Sequence, residues 1–352
     1  MKTFKTHHAA GLAGACLTFA LMLLASCISS REKSHEPRLP KEPTPHDIIA
    51  LLQDSLQGIT RLYDGEIGIA VITDANDIIT ANNENKYPMM SVIKLHQAIS
   101  LCHDFDIKGK SLYAVVTIPR ESLNPDTWSP MLKDYPTGDI KITYRDLLRY
   151  ALAQSDNNAS NYLFENVQPV SEVRDSIARI IFHKYFKLSV TEAEMWKDHR
   201  LCYENTTSPI GAAFLINRVL TDTLNRIMSQ RSRDFIKQTL LECKTGADRI
   251  AAPFAEEKDI KVAHKTGSGF RRPDGILTAH NDVAFIELPG NRYYVLAVFV
   301  KDFKGTEEEA SDAIAKISTD VYSAIKCIYP NHKRGSKHYH TIIPVKKMKD
   351  SE

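Results

Sequence analysis

Three short segments hold side chains that together could run covalent catalysis from a serine. In Ser91-Val92-Ile93-Lys94 a hydroxyl and an amine lie three residues apart. On a helix that spacing places both on one face, one turn apart. A serine hydroxyl is a weak nucleophile until a neighbouring base takes its proton, and an amine serves as that base once burial lowers its pKa. Ser155-Asp156-Asn157 adds a second hydroxyl, able to pass a proton to a leaving nitrogen, and an amide able to hold both a substrate and a lysine. The same three residues favour helix N-caps, and the two roles are compatible. His264-Lys265-Thr266-Gly267-Ser268-Gly269 offers a lysine, two hydroxyls and exposed backbone N–H groups, a seat for a carboxylate.

The surrounding pattern says what must position these groups. Ile48–Tyr63 has apolar residues at helical spacing; Glu66–Ile72 reads as a strand, Asp74–Asp77 as a turn, and Ile78 onward as the partner strand. Pro88, then Ile93, Leu95, Ala98, Ile99 and Cys102, mark an amphipathic helix that starts at Ser91. From Pro88 to about Phe254 the chain is mostly helical, with loops such as Asn124–Gly138, and a helix at Tyr144–Ala153 leads into Ser155. Asn281–Leu288 and Arg292–Val300 flank Pro289-Gly290-Asn291 as a hairpin, and Glu307–Cys327 is a helix with three acids where its dipole favours them. The economical assembly is an α/β (α+β sandwich) fold. One antiparallel sheet is built from both chain ends and covered by the terminal helices, with an all-helical lobe inserted between. The catalytic domain is then 46–330, with a sheet lobe from 46–85 and 255–330 and a helical lobe from 86–254.

Several matches to the same letters are set aside. Ser30-Arg31-Glu32-Lys33 falls in a polar stretch and Ser323-Ala324-Ile325-Lys326 in the final helix. Lys244-Thr245-Gly246 directly follows the helical stretch Phe235–Cys243, where Gly246 is read as a C-cap. His264 and His280 belong to no metal-ligand pattern, HExxH is absent, and the one HxH (His338-Tyr339-His340) lies in a basic tail, which argues against a zinc hydrolase. Gly109-Lys110-Ser111 lacks the upstream glycine of a P-loop, and no GxSxG occurs. Trp128 and Trp196 are read as packing residues.

The three segments, in that order, resemble the active-site serine β-lactamases and penicillin-binding proteins, for which the trio is a known signature. The likeness covers about residues 46–330. It is closest to class A β-lactamases, because Glu192-Ala193-Glu194-Met195 is similar to their omega loop, and Asn205–Ala213 resembles subclass A2. The resemblance implies Ser91 as the acylating nucleophile, Lys94 as a candidate base for it and Ser155 as a proton shuttle to the lactam nitrogen. Asn157 would bind the substrate amide, and Glu192 would activate the deacylating water, with a register on Glu194 as the alternative. Lys265, Thr266, Gly267 and Ser268 would face the substrate carboxylate, with the N–H groups of Ser91 and Ser268 as oxyanion hole. No metal or organic cofactor is implied. Trp196 departs from the family, which usually has asparagine there to help hold the water. The family's carboxylate-binding arginine has no evident counterpart; Arg271 and Arg272 are nearby, in a loop. The expected activity is β-lactam hydrolysis by a monomer. The alternatives are a D,D-peptidase or penicillin-binding protein and a non-catalytic binding protein on the same fold.

Residues 1–26 read as a secretory signal, with Lys2 and Lys5 ahead of an apolar run from Gly11 to Ala25 that is too short to span a bilayer comfortably. Leu24-Ala25-Ser26-Cys27 resembles a bacterial lipobox, which implies lipid on Cys27 and a membrane-anchored periplasmic protein. Residues 27–45 are a polar tether and 331–352 a basic tail. Net charge is +2, all of it accounted for by the leader, so nothing directs the body to nucleic acid. Cys102, Cys202, Cys243 and Cys327 allow three disulfide connectivities, and sequence does not choose among them.

Overall fold

The computed structural model describes residues 42–328. The leader, Cys27, most of the tether and the basic tail lie outside them, as does the Ser30–Lys33 match.

The first helix spans Pro45–Ile59, starting three residues and stopping four residues earlier than hydrophobic spacing suggests. Its start is set by a capping box, in which Thr44 accepts from the Asp47 N–H and the Asp47 side chain accepts from the Thr44 N–H, with Pro45 in the first turn. Strands β1 (Glu66–Thr73) and β2 (Ile78–Ala81) follow as a hairpin, then the short β3 (Tyr87–Pro88). The helical lobe is built round helix Ile93–Lys108, whose Leu95, Ala98, Ile99, Leu101 and Cys102 are all inaccessible. It also contains a two-stranded ribbon of β4 (Val115–Ile118) and β5 (Ile140–Thr143), and the short β6 (Phe186–Lys187) and β7 (Thr206–Thr207), which pair with β3 in the order β3-β7-β6. Strands β8 (Lys261–Ser268), β9 (Leu277–Leu288) and β10 (Arg292–Phe303) then precede the last helix, Glu307–Ile328.

The main sheet is antiparallel throughout, in the order β2-β1-β10-β9-β8. In the β9–β10 turn, Gly290 and Asn291 take left-handed φ of 77° and 63°, which these two residue types tolerate best. Both faces of the sheet are covered, so β1 and β10 at its centre are apolar at most positions. Alternation sends Ala70, Ile72, Val295, Ala297 and Phe299 toward the helical lobe. It sends Ile69, Val71, Leu296 and Val298 toward Leu52, Leu56, Ile314 and Ile317 of the terminal helices. The expected α+β sandwich with an inserted helical lobe is the fold observed. β8, absent from the pattern-based reading, forms the edge nearest the helical lobe.

Candidate active site

Ser91 lies in a tight turn, Met90–Val92, that leads straight into helix Ile93–Lys108. Met90 has φ of 47°, a conformation that costs a non-glycine residue about 1–2 kcal/mol. The turn is held from below: the Asn281 side-chain amide on β9 donates to Pro88 O at 2.8 Å and Met89 O at 3.3 Å, and Met89 N–H donates to Asn205 O. β8 passes so close that a Cβ on Gly267 would lie 2.3 Å from Met89 O. Only glycine lets the edge strand approach the Ser91 turn this closely.

Helical spacing brings Lys94 Nζ to 2.6 Å from Ser91 Oγ. The same ammonium donates to Asn157 Oδ1 and to Glu192 Oε1, both at 2.7 Å, and is wholly buried. Ser91 Oγ donates to the same Glu192 oxygen at 3.1 Å. Glu192 opens the short helix Glu192–Lys197, capped by Thr191. Glu194 is spent on that cap, accepting from Thr191 N–H at 2.7 Å, and points to solvent. Of the two registers open from sequence, the fold turns Glu192 toward the serine. Asn161 Oδ1 on the neighbouring helix accepts from Ala193 N–H and fixes the segment.

Ser155 takes φ of 57° between helices Tyr144–Ala153 and Asn157–Asn166. Asp156 caps the second helix and is buried, accepting from Ala159 N–H, Met131 N–H and Ser129 Oγ. That leaves Ser155 and Asn157 on either side of it, pointing into the cleft. Lys265 Nζ on β8 donates to Ser155 Oγ at 2.9 Å and to Thr266 O at 2.8 Å. Burial, and then the Lys94 charge, push its ammonium down to about 7. Gly269 N–H is paired with Ala279 O, so Ser268 N–H, one residue earlier, is on the strand's other edge, facing the cleft.

The cleft has a volume of about 340 Å³, the scale of small-molecule sites, and is lined by Ser91, Ser155, Asn157, Glu192, Thr266 and Ser268 among others. Four expectations change here. Lys244-Thr245-Gly246 is not a helix cap: the helix stops at Leu241, Gly246 turns the chain with φ of 70°, and Thr245 Oγ1 comes within 2.5 Å of Thr266 Oγ1 on the cleft wall. Trp128 and Trp196 are not packed inside but are 54% and 48% exposed and line the cleft. Trp196 stands edge-on to His199, which stacks on Phe270 at 3.9 Å across the cleft's mouth. Arg271 and Arg272 are engaged elsewhere, the first with Gly275 O and Gly305 O, the second with Asp274 and Asp302. The fourth concerns the arginine itself. Buried Arg249, which sequence did not single out, donates to Ser268 Oγ at 2.7 Å and to Asn281 O at 2.8 Å. Its only sequence signal is its place five residues after Lys244.

Among the described residues, no group of three or more His, Cys, Asp or Glu side chains is placed to hold a metal ion. Cys102, Cys202 and Cys243 are thiols, not disulfides.

This arrangement coincides with what comparison with known proteins finds. The profile of the family described as "Beta-lactamase enzyme family" matches residues 51–325. The chain is 52% identical over 275 residues to a β-lactamase of Phocaeicola vulgatus, covering 78% of this chain and 85% of that one. It is 31% identical to the extended-spectrum β-lactamase PER-1 of Pseudomonas aeruginosa, covering 77% and 86%. Among solved structures, a class A β-lactamase from Bacteroides cellulosilyticus superposes with a TM-score of 0.73 at 28% identity, over 80% of this chain and 98% of that one.

Proposed function

The chain belongs to the β-lactamase enzyme family, class A, and on that premise we propose that it hydrolyses β-lactams through an acyl ester on Ser91. The observation that carries the proposal is the position of Ser91 Oγ, within hydrogen-bond reach of both Lys94 Nζ and Glu192 Oε1.

In acylation, Ser91 Oγ attacks the lactam carbonyl carbon while its proton passes to the Lys94–Glu192 pair. The carbonyl oxygen becomes an oxyanion between the N–H groups of Ser91 and Ser268, a hole in which each donor is worth about 10²–10³ in rate. The C–N bond then breaks, and Ser155 Oγ delivers a proton to the departing nitrogen, with Lys265 beside it. Asn157 Nδ2 and the edge of β8 hold the acylamino side of the substrate, and Lys265, Thr266 and Ser268 hold its carboxylate, backed by Arg249. In deacylation Glu192 takes a proton from water, the hydroxide attacks the ester carbonyl, and Ser91 leaves with a proton restored. No step calls for a metal or an organic cofactor.

We assign the finer points in the same spirit. The Asn205–Ala213 segment supports subclass A2 and a lean toward cephalosporins. The leader and Leu24-Ala25-Ser26-Cys27 support export to the periplasm with a lipid anchor on Cys27, and the enzyme is taken to act as a monomer. Cys27→Ser in the full chain should then move the protein from the membrane to the soluble fraction; a chain that stays in the membrane speaks against the anchor.

The deciding experiment is turnover of a chromogenic cephalosporin by residues 28–352, with intact-mass analysis of the same mixture. Fast turnover that Ser91→Ala abolishes supports the hydrolase. A stable adduct on Ser91 with little turnover supports a penicillin-binding protein instead, and no adduct with any penicillin supports a binding protein.

A further inference from the structure

Trp196 lines not only the cleft but also a second cavity, of about 310 Å³, which holds none of the residues assigned to the reaction. The cavity is a wedge between two helices. One wall is helix Asn157–Asn166, which contributes Asn161, Tyr162 and Glu165; the other is helix Glu192–Lys197, which contributes Ala193, Trp196 and Lys197. Residues three and four apart share a helix face, so each set stands on one side of its helix. The third wall, at Asn124, is pinned to the first. Asn158 Oδ1 accepts from Asn124 N–H and Asn158 Nδ2 donates to Asn124 O, both at 2.9 Å. Across the wedge, the Asn161 Oδ1 contact with Ala193 N–H, at 3.0 Å, holds the two helices together.

The walls still have bonding capacity to offer. Asn161 Nδ2, the Tyr162 hydroxyl, the Glu165 carboxylate and the Lys197 ammonium have no hydrogen-bond or ion-pair partner among the described residues. One acid and one base line the cavity, so it carries no net charge and does not select an ion. Four of its side chains are carboxamides, each able to donate and to accept. Trp196, 48% exposed, and the half-buried Tyr162 add ring surface. Carboxamides, a hydroxyl and aromatic rings round a neutral hollow suit a sugar. Each sugar hydroxyl also both donates and accepts, and the C–H face of the ring packs against an indole. The volume is at the low end for small-molecule sites, which fits one ring rather than a long chain.

We propose that this cavity binds a neutral pyranose sugar, stacked on Trp196 and hydrogen-bonded by Asn161, Tyr162, Glu165 and Lys197. The bound ring adds ties between the helix that carries Asn157 and the helix that carries Glu192. It also holds Trp196 edge-on to His199 at the cleft's mouth, so a β-lactam in the cleft binds more tightly when the sugar is present. That coupling rests on the β-lactamase reading; the sugar site does not.

The test is isothermal titration of the protein with N-acetylglucosamine and, separately, with glucose. A ligand of about fifteen non-hydrogen atoms should bind with about millimolar affinity. Tighter binding of the first sugar points to cell-wall glycan as the source, and tighter binding of the second to a free sugar. Tyr162→Phe combined with Glu165→Gln removes two of the bonds, both at side chains outside the core, and should weaken binding at least about tenfold. Turnover without sugar should stay at the wild-type rate. The proposal is overturned if neither sugar binds at about 100 mM, far above the expected range. Wild-type affinity in the double variant overturns it too, since the sugar must then sit elsewhere, as does a cavity that takes zwitterionic glycine and neither sugar. Saturating sugar should lower KM for a β-lactam about fivefold, the low end of coupling between sites, and a KM that does not move overturns the coupling. A protein that turns over no β-lactam at all fails the hydrolase reading instead, while the titration still decides the sugar site.

Discussion

Glu192 Oε1 is a shared acceptor: Lys94 Nζ donates to it at 2.7 Å and Ser91 Oγ at 3.1 Å, in a pocket where the lysine is fully buried and the glutamate nearly so. One carboxylate oxygen thus touches both the proposed nucleophile and its candidate base. The same contact can serve acylation, through Lys94, and deacylation, through the water that replaces Ser91 Oγ as its partner once the ester forms.

Glu192→Gln keeps the shape and removes the base. Acylation of Ser91 should persist while turnover falls by about 10²–10⁴, the usual worth of a positioned general base. Intact-mass analysis after mixing with a β-lactam should show the acyl-enzyme accumulating; turnover at the wild-type rate would remove Glu192 from the mechanism.

Lys265 binds a carboxylate only when protonated, and its burial and the nearby Lys94 charge hold it at about 7 in the free enzyme. kcat/KM, which reports free-enzyme ionisations, should therefore decline as pH rises through about 7. Lys265→Arg keeps its charge over the whole range and should flatten that limb. A wild-type profile level to pH well above neutrality would contradict the assignment.

Gly267→Ala places a methyl 2.3 Å from a backbone oxygen, which no side-chain rotation relieves. Overpacking of this kind costs about 1–3 kcal/mol. Because β8 must retreat from the Met89–Ser91 turn, activity should fall along with the melting temperature. Calorimetry paired with steady-state kinetics checks it, and an unchanged melting temperature would refute the close approach.

Trp196 joins Glu192's helix to Phe270 through His199. Aromatic pairs of this kind are worth about 0.5–1.5 kcal/mol beyond their buried area. Trp196→Ala should therefore loosen the cleft's mouth and raise KM for β-lactams with aromatic side chains more than it lowers kcat. A fall in kcat with KM unchanged would instead tie Trp196 to the deacylating water.

Much of this was legible from local pattern. The i, i+3 pair Ser91 and Lys94, the helix Tyr144–Ala153 that delivers Ser155, and the hairpin at Gly290-Asn291 are all fixed by neighbours within a few residues. Thr191 and Glu194, three apart, also hold a readable signal: a capping box occupies Glu194 and leaves Glu192 for the site. What escaped depends on distant contacts. β8 does not alternate in polarity, because Lys265 and Thr266 are buried polar residues facing the cleft, so period-2 reasoning passes over it. The roles of Thr245 and Arg249 exist only because the 244–249 turn is packed against β8, and Trp196 is exposed only because its helix borders the cleft.

The strand order β2-β1-β10-β9-β8 has a bearing on how the enzyme comes into being. Among the described residues, β10 is the strand that joins the early hairpin β1–β2 to the pair β8–β9, and it is made late in synthesis. Until it arrives, the β1–β2 hairpin and the β8–β9 pair that carries Lys265 are separate fragments of the main sheet. Closing so long a loop adds little to the equilibrium cost, about 0.6 kcal/mol per doubling of length, but such non-local pairing is slow. A product that stops between Leu288 and Arg292 would hold every catalytic side chain yet lack the strand that joins the two halves of the main sheet, so activity should be a property of the finished chain.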